Sequence, residues 1–430
     1  MNTFVSPRFG MSRRRRAVSL LAAAALTSGA LAATAAPASA VTTCKPGFAP
    51  AVTYRTANMS LYTATADFNG DHRTDVVAYG PSGTAEVLLG KGDGTFRPAV
   101  IAGSASAVMT VPSVGSVNSD DDNTVDVITV DPVGGAVRVF PGNGDGTFAT
   151  AISTPAMANV FSAVPGDFNA DGRLDVLVTD NGNTSSIMLG EGDGTFQAPV
   201  GTGFTGYSYL AGVDDFDGDG DDDVAFADGG PGGSSAVQVI LSNGDGSFGP
   251  AAPYAVGTGP VLALPADFNN DHEVDLITVG MSDGVVLLGK GDGTFQDALP
   301  YTGNNAMVWP TLGDYDGDGR TDVAFASPTG GSLLLGKGNG AFQAPVTFKA
   351  PTSGGMMASG RFNADSKSDL VVPSMSSSGV SVLLAGCGTP AAPKPAVKPK
   401  PAVKLKWKTK VKLEKPKLKE IKKVRGGGVK

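Results

Sequence analysis

Asp67-Phe68-Asn69-Gly70-Asp71-His72-Arg73-Thr74-Asp75-Val76-Val77 is a segment that the chain uses again and again. It returns over 118–128, 167–177, 215–225, 267–277, 314–324 and, degraded, 361–371. The central acids are Asp71, Asp122, Asp171, Asp219, Asp271, Asp318 and Asp365, spaced 51, 49, 48, 52, 47 and 47 residues apart. Repetition at a nearly fixed period marks an array or a closed ring of similar units, so it governs every later inference. Each copy continues alike. A β-branched run such as Val76-Val77 or Val176-Leu177-Val178 leads into a Gly/Ser/Pro turn and a second apolar run such as Val87-Leu88-Leu89. A glycine-rich loop follows at 90–96, 142–148, 190–196, 242–248, 289–295 and 336–342, each ending in Phe. A short run such as Gln197-Ala198-Pro199-Val200 closes the copy.

Short runs between glycine and aspartate turns read as strands. About four short strands per ~50 residues is the content of one propeller blade. The sequence therefore predicts an all-β, seven-bladed β-propeller over residues 41–388. The 60 glycines suit it, because tight hairpins need residues that accept positive φ. The Phe of each glycine loop is expected in the core between blades.

The seventh copy stops early. Val382-Leu383-Leu384-Ala385 aligns with Val87-Leu88-Leu89-Gly90, but no glycine loop or outer strand follows. Phe48-Ala49-Pro50-Ala51-Val52 instead mirrors Phe96-Arg97-Pro98-Ala99-Val100 at the other end of the chain. The N-terminal segment is thus predicted to supply the last blade's outer strand. Cys44 and Cys387, the two cysteines, both align with Gly92. A disulfide between them would bridge the one interrupted loop and constrain the unfolded chain through its loop entropy, less any strain. Two free thiols are the alternative.

The acidic segments place oxygen donors at their first, third, fifth and ninth positions, with the seventh free to offer a backbone carbonyl. Calcium takes six to eight oxygen ligands, and short carboxylates on alternate residues of a curled loop converge on one point. The predicted donors are Asp67, Asn69, Asp71, Arg73 and Asp75 in the first loop, and Asn118, Asp120, Asp122, Thr124 and Asp126 in the second. The third uses Asp167, Asn169, Asp171, Arg173 and Asp175, and the fourth Asp215, Asp217, Asp219, Asp221 and Asp223. The fifth uses Asp267, Asn269, Asp271, Glu273 and Asp275, and the sixth Asp314, Asp316, Asp318, Arg320 and Asp322. Arg73, Thr124, Arg173, Asp221, Glu273 and Arg320 contribute carbonyls only. Position 6 needs a residue tolerant of a left-handed backbone, and holds Gly172, Gly220, Gly319, Asn123, His72 or His272. An EF-hand fails here because its twelfth residue would be Ala78, Phe226 or Phe325 rather than Glu. Ordinary acidic turns are the bland alternative, since Asp, Asn and Gly favour turns anyway. In the seventh loop Arg361 replaces the first acid, so no calcium is expected between Arg361 and Asp369, with the guanidinium supplying positive charge instead.

These signatures, D-F-N-G-D-x-R-x-D-V and G-x-G-D-G-T-F, resemble the FG-GAP/VCBS repeat family, bacterial relatives of the integrin α-subunit propeller. The resemblance covers residues 44–387 and implies calcium in the acidic loops. The family includes adhesion modules, lectin-like proteins and domains attached to enzymes, so the fold alone does not fix the function.

The flanks read differently from the body. Arg13–Arg16, the small apolar stretch Ala17–Ala36 and Ala38-Ser39-Ala40 form a signal peptide expected to end at residue 40, with the general or twin-arginine route left open. The product is then secreted, into a compartment that permits disulfides. No other stretch suits a membrane span. Residues 394–430 carry +13 and the first 40 residues +5, so the overall −8 leaves −26 for residues 41–393. Residues 389–402 are an Ala/Pro/Lys linker. The tail, 403–430, alternates apolar and cationic residues from Val403 to Leu413 and is expected to be disordered when free. An anionic cell-wall polymer or membrane surface is its expected partner, with the chain's own acidic body as the rival and nucleic acid disfavoured.

Catalysis is not expected. His72 and His272, the only histidines, share one conformational slot, and no H-E-x-x-H occurs. A monomeric, non-catalytic module that binds an extracellular glycan or protein is the favoured reading. A secreted carbohydrate-active hydrolase or lyase, or a lectin, is the alternative. Tyr207, Tyr209, Tyr301, Trp309 and Met356-Met357 interrupt the repeat and are the candidate ligand contacts, against ordinary packing between blades.

Overall fold

The computed structural model describes residues 46–387 apart from 105–112, 116–123, 181–183, 206–210, 230–234, 258, 281–282, 304–307, 328–329, 352–354 and 375–377. The predicted signal peptide, Cys44, the predicted linker and the basic tail lie outside the described residues. Every regular element described is a β-strand, arranged as seven four-stranded antiparallel sheets and one two-stranded ribbon. The first blade runs Tyr62–Ala66, Asp75–Tyr79, Thr84–Leu88 and Val100–Ser104 in sheet order. Its first strand touches the first strand of blade 7, Ala358–Gly360, so the first strands line the axis and the fourth strands form the rim.

The second strands are buried along almost their whole length rather than on alternate residues because both faces of a blade are covered. All five residues of Asp75–Tyr79 are buried, as are all six of Asp223–Asp228. Each face packs on a neighbouring blade, giving a separate hydrophobic cluster at each interface instead of one central core. Val76, Leu88 and Phe96 of blade 1, for example, pack against Phe362, Val371 and Val382 of blade 7. Among the described strands, only those at the rim show large apolar side chains to solvent, as with Val100 and Ile101.

The Phe that ends each glycine loop is the knob of this packing. Phe96 meets the ring of Phe362 edge-on at 5.1 Å, and Phe148 meets Phe68 at 5.7 Å. Phe248 on Phe168, Phe295 on Phe216 and Phe342 on Phe268 repeat the contact, each ring lying on the residue after the first acid of the preceding blade. A backbone bond accompanies it. Gly94 donates to the carbonyl of Phe362 at 2.7 Å, and Gly146 to that of Phe68 at 3.0 Å. Gly94 has φ +80°, where a side chain is strained, and a Cβ there would also displace the end of Leu384.

Closure follows the predicted register. Val52–Tyr54 is the fourth strand of blade 7, with Val52 opposite Val382 and Tyr54 opposite Val380. Pro46–Phe48 forms the ribbon with Ala385–Cys387, and Phe48 faces Ala385 where Phe96 faces Gly90 in blade 1. Cys387 lies opposite Pro46, while the predicted Cys44–Cys387 bridge falls on a cysteine outside the described residues. One closing contact has no counterpart in the sequence reading. The buried carboxylate of Glu86 accepts the amides of Ala57 at 2.7 Å and Asn58 at 3.1 Å, fixing the segment that leads from blade 7 into blade 1.

Replacing Phe96 by alanine empties the interface at which the ring closes, and we expect a loss of about 3–5 kcal/mol in urea unfolding. Arg97→Ala, on the exposed neighbour, should change stability by less than about 0.5 kcal/mol. Equal effects would show that the Phe is not the knob of the closing interface.

Candidate metal centres

Each acidic segment joins the first and second strands of its blade. Its ninth residue opens the second strand and is shut off from solvent. Asp75 Oδ2 accepts the amide of Phe68 at 3.0 Å, and Oδ1 accepts that of Gly90 at 2.7 Å. Asp175, Asp223, Asp275, Asp322 and Asp369 make the same pair of bonds. Each oxygen keeps a second lone pair, so the residue ties three segments of its blade together and can still face a cation.

The first acid curls the loop. Asp67 Oδ2 accepts the amide of His72 at 2.7 Å, and Asp167, Asp215, Asp267 and Asp314 accept those of Gly172, Gly220, His272 and Gly319. The curl needs two left-handed residues, at positions 4 and 6, and the sequence reading anticipates only the second. Gly70, Ala170, Gly218, Asn270 and Gly317 have positive φ at position 4. His72 and His272, at φ 60° and 72°, have side chains 97% and 94% exposed, which is a conformational role. In loop 4, oxygens of Asp215, Asp217 and Asp223 all lie within 4.8 Å of one another, and in loop 6 those of Asp314, Asp316 and Asp318 do so. In loop 2, Asn118, Asp120 and Asp122 lie outside the described residues, while Asp126 Oδ1 accepts the amide of Gly142 at 2.8 Å.

Side chains at position 7 have a structural task that the sequence reading does not foresee. Arg173 and Arg320 reach back to Asp171 and Asp318 of their own loops, and Arg73 lies 3.5 Å from Asp71. Arg73 also covers Gly92, where a Cβ would lie 3.2 Å from its side chain. Position 8 laces neighbouring loops together. Asp222 donates its amide to the carbonyl of Asp167 and accepts the amide of Asp167, both at 2.8 Å. Thr321 donates to the carbonyl of Asp267, and Ser368 donates its amide to that of Asp314. The available signal is a polar residue where other copies hold Val125, Leu174 or Val274.

Electrostatics match this crowding. Burial pushes Asp75 and Asp275 up to about 6, and Asp175, Asp223, Asp322 and Asp369 up to about 7, against the lowering effect of their two amide bonds. Asp217 and Asp316 are also raised, by burial first and then by the charges of their neighbours. An all-oxygen set of mutually repelling carboxylates fits a hard divalent cation.

Loop 7 is different in backbone as well as in composition. Neither Ala364 nor Ser366 is left-handed, so the curl is missing. Arg361 does not occupy the cation's place, contrary to expectation. It is exposed, and among the described residues no ion pair joins it to Asp365 or Asp369. Those acids are already engaged, Asp365 by the amide of Lys367 and by Asn363 Nδ2, and Asp369 by the amides of Phe362 and Ala385. Arg361 instead lines a funnel of about 890 Å³ at the axis, on the side of the acidic loops, with Asp67, Asp267 and Asp314 at the equivalent positions.

Three candidate ligand contacts belong to the core. Tyr301 is 8% exposed, its hydroxyl donates to the carbonyl of Thr278, and its ring packs on Phe342. Met356 and Met357 are buried too. Their large side chains fill wedges between blades, which sequence irregularity cannot distinguish from ligand contact. Trp309 has φ +55° at a bulge and, partly buried, packs against the core cluster that contains Tyr301 and Met356. Tyr207 and Tyr209 lie outside the described residues. A G-x-S-x-G string does occur at 280–284, where it joins the antiparallel strands Asp275–Gly280 and Asp283–Leu287, with residues 281–282 outside the described residues.

No curated protein matches the chain in sequence. Among solved structures, a lectin from Burkholderia pseudomallei is 18% identical, covering 75% of this chain and 95% of its own, with a TM-score of 0.58. A lectin of Agrocybe aegerita, described as recognising non-reducing terminal N-acetylglucosamine, is 20% identical over 74% of this chain and 86% of its own, with a TM-score of 0.53. At such identities the likeness is one of fold. The FG-GAP-like repeat pattern matches at 118–178, 167–214, 215–278, 267–325 and 314–372. Those spans cover more than half of the sequence and coincide with the blades and acidic loops described above, so the chain belongs to the FG-GAP-like repeat family.

Proposed function

We propose that the chain is an exported, calcium-stabilised propeller that binds an extracellular glycan or protein and performs no catalysis of its own. The observation that carries this reading is the convergence of carboxylate oxygens within 4.8 Å in loops 4 and 6, each held by its own loop's amides. Bound calcium would offset the repulsion among those groups and hold each loop in its curl. The donors in loop 4 are Asp215, Asp217, Asp219 and Asp223, with counterparts in the other five intact loops. Loop 7, without the curl or the first acid, takes none. The two lectins of similar fold favour a glycan as ligand, which makes the lectin form of the reading the stronger one. Removal of residues 1–40, a Cys44–Cys387 disulfide and retention at an anionic wall polymer by residues 403–430 belong to the same proposal.

Metal analysis of the purified secreted chain should find about six calcium ions, one for each intact loop. Each site that is independently saturated at a hundred times its Kd adds about 2.7 kcal/mol. A chelator should therefore lower the melting temperature substantially, and Asp215→Ala with Asp217→Ala should remove one ion. A metal-free protein whose melting is indifferent to chelator would end the calcium reading. Against a polysaccharide panel, saturable binding without turnover is expected, and turnover would favour the enzyme. Peptide mapping without reductant should recover residues 44 and 387 in one crosslinked fragment.

The buried ninth-position acids also set a pH dependence. Their folded pKa lies above the unfolded value, so the folded state holds more protons between about 4 and 7. In the chelated protein, stability should fall as pH rises through that window and level off above it. Calcium should restore the melting temperature more at pH 7.5 than at pH 5. A chelated protein that gains stability with rising pH would contradict this assignment.

A further inference from the structure

The seventh loop leaves a cation without a task. Its first position, an aspartate in the loops of blades 1, 5 and 6, is Arg361, and all four residues line the axial funnel. The three aspartates are turned to their own loops, where they accept the amides of His72, His272 and Gly319. Arg361 has no such engagement and no ion pair among the described residues, and it stands exposed at the cavity.

We propose that the funnel binds an oxyanion-bearing saccharide, a uronate or a sulfated sugar, with Arg361 as its anchor. The volume of about 890 Å³ lies within the range of small-molecule sites and far exceeds the need of an inorganic ion. A guanidinium presents a planar fork that matches carboxylate and sulfate oxygens two at a time. The wall around it is preorganised. Thr65 donates its hydroxyl to the carbonyl of Ser359 at 2.7 Å, and Ser359 donates to that of Leu312 at 2.7 Å, so three consecutive first strands are fixed to one another. A funnel closed by such strands admits the end of a sugar chain more readily than a broad protein surface. The inference deepens the binding reading above and rests on it; Asp214, Glu273 and Arg320 are the funnel's other charged groups, and cations held by the flanking loops would add to its positive charge.

The test is titration calorimetry of the full secreted chain in calcium buffer with a galacturonate trisaccharide, a sulfated galactose trisaccharide, their neutral counterpart and inorganic sulfate. One or both charged sugars should saturate a single site, with the neutral sugar weaker by about 10-fold or more. Arg361→Gln should reduce the charged sugars to the neutral level, and Arg361→Lys should fall between, keeping charge but losing the fork. Calcium content and melting of Arg361→Gln should match the unaltered protein. The proposal is overturned if Arg361→Gln binds charged sugars undiminished, if charged and neutral sugars bind alike, if none binds, or if inorganic sulfate binds as tightly as the trisaccharides. Arg361-dependent binding by a chain that carries no calcium would sink the metal reading and spare this one. Calcium loading with no dependence on Arg361 would do the reverse.

Discussion

A carboxylate sealed from water and bonded to two backbone amides opens the second strand of the described blades, and the blade is arranged around it. Asp75 joins the acidic loop, through Phe68, to the start of the glycine loop, through Gly90. Burying the charge is unfavourable, and the two amide bonds are what make it tolerable. Asparagine could not substitute, because its single carbonyl leaves an NH2 group facing a donor. Blade 7 keeps Asp369 in this role although its loop has lost the first acid and the curl. The ninth position therefore serves the fold first and any cation second.

That anchor sets the geometry between blades. By fixing Phe68 and Gly90 in one frame, it places one aromatic to receive the next blade's Phe148 and the glycine loop to send Phe96 into the preceding blade. The acidic and glycine loops are consequently one device, and each interface is assembled from the acidic loop of one blade and the glycine loop of its successor. The lacing of Asp222 to Asp167 and of Thr321 to Asp267 extends the coupling to the acidic loops themselves. Disturbing one loop thus bears on its neighbour through the backbone.

Much of this was legible in the residues. Period and turn chemistry predict seven blades, and the match of Phe48–Val52 to Phe96–Val100 predicts the register of closure, because both depend on local pattern. Position 6 was legible for the same reason, since His, Asn and Gly share tolerance of positive φ. What escaped was long-range. Nothing in the pattern tells that Glu86 clasps the amides of Ala57 and Asn58, or that position 8 reaches the preceding loop. Tyr301 takes the packing alternative, since an irregular aromatic looks the same in sequence in a wedge between blades as at a ligand. Charge alone places Arg361 at the cation's position, whereas loop 7 lacks the curl and its guanidinium lines the axial funnel instead.

The outer strand of blade 7 has a consequence for the order of assembly. Thr53 Oγ1 lies 2.9 Å from Ser381 Oγ across 328 residues of chain. The earliest strand of the ring to be synthesised is therefore among the last to find its partner, and joining such distant segments is slow. Until then blade 7 ends in an unpaired edge at Val380–Leu383, able to accept the Val52–Tyr54 strand of another copy as readily as its own. High concentration during refolding thus favours exchanged dimers and open chains, and dilution favours the single closed ring.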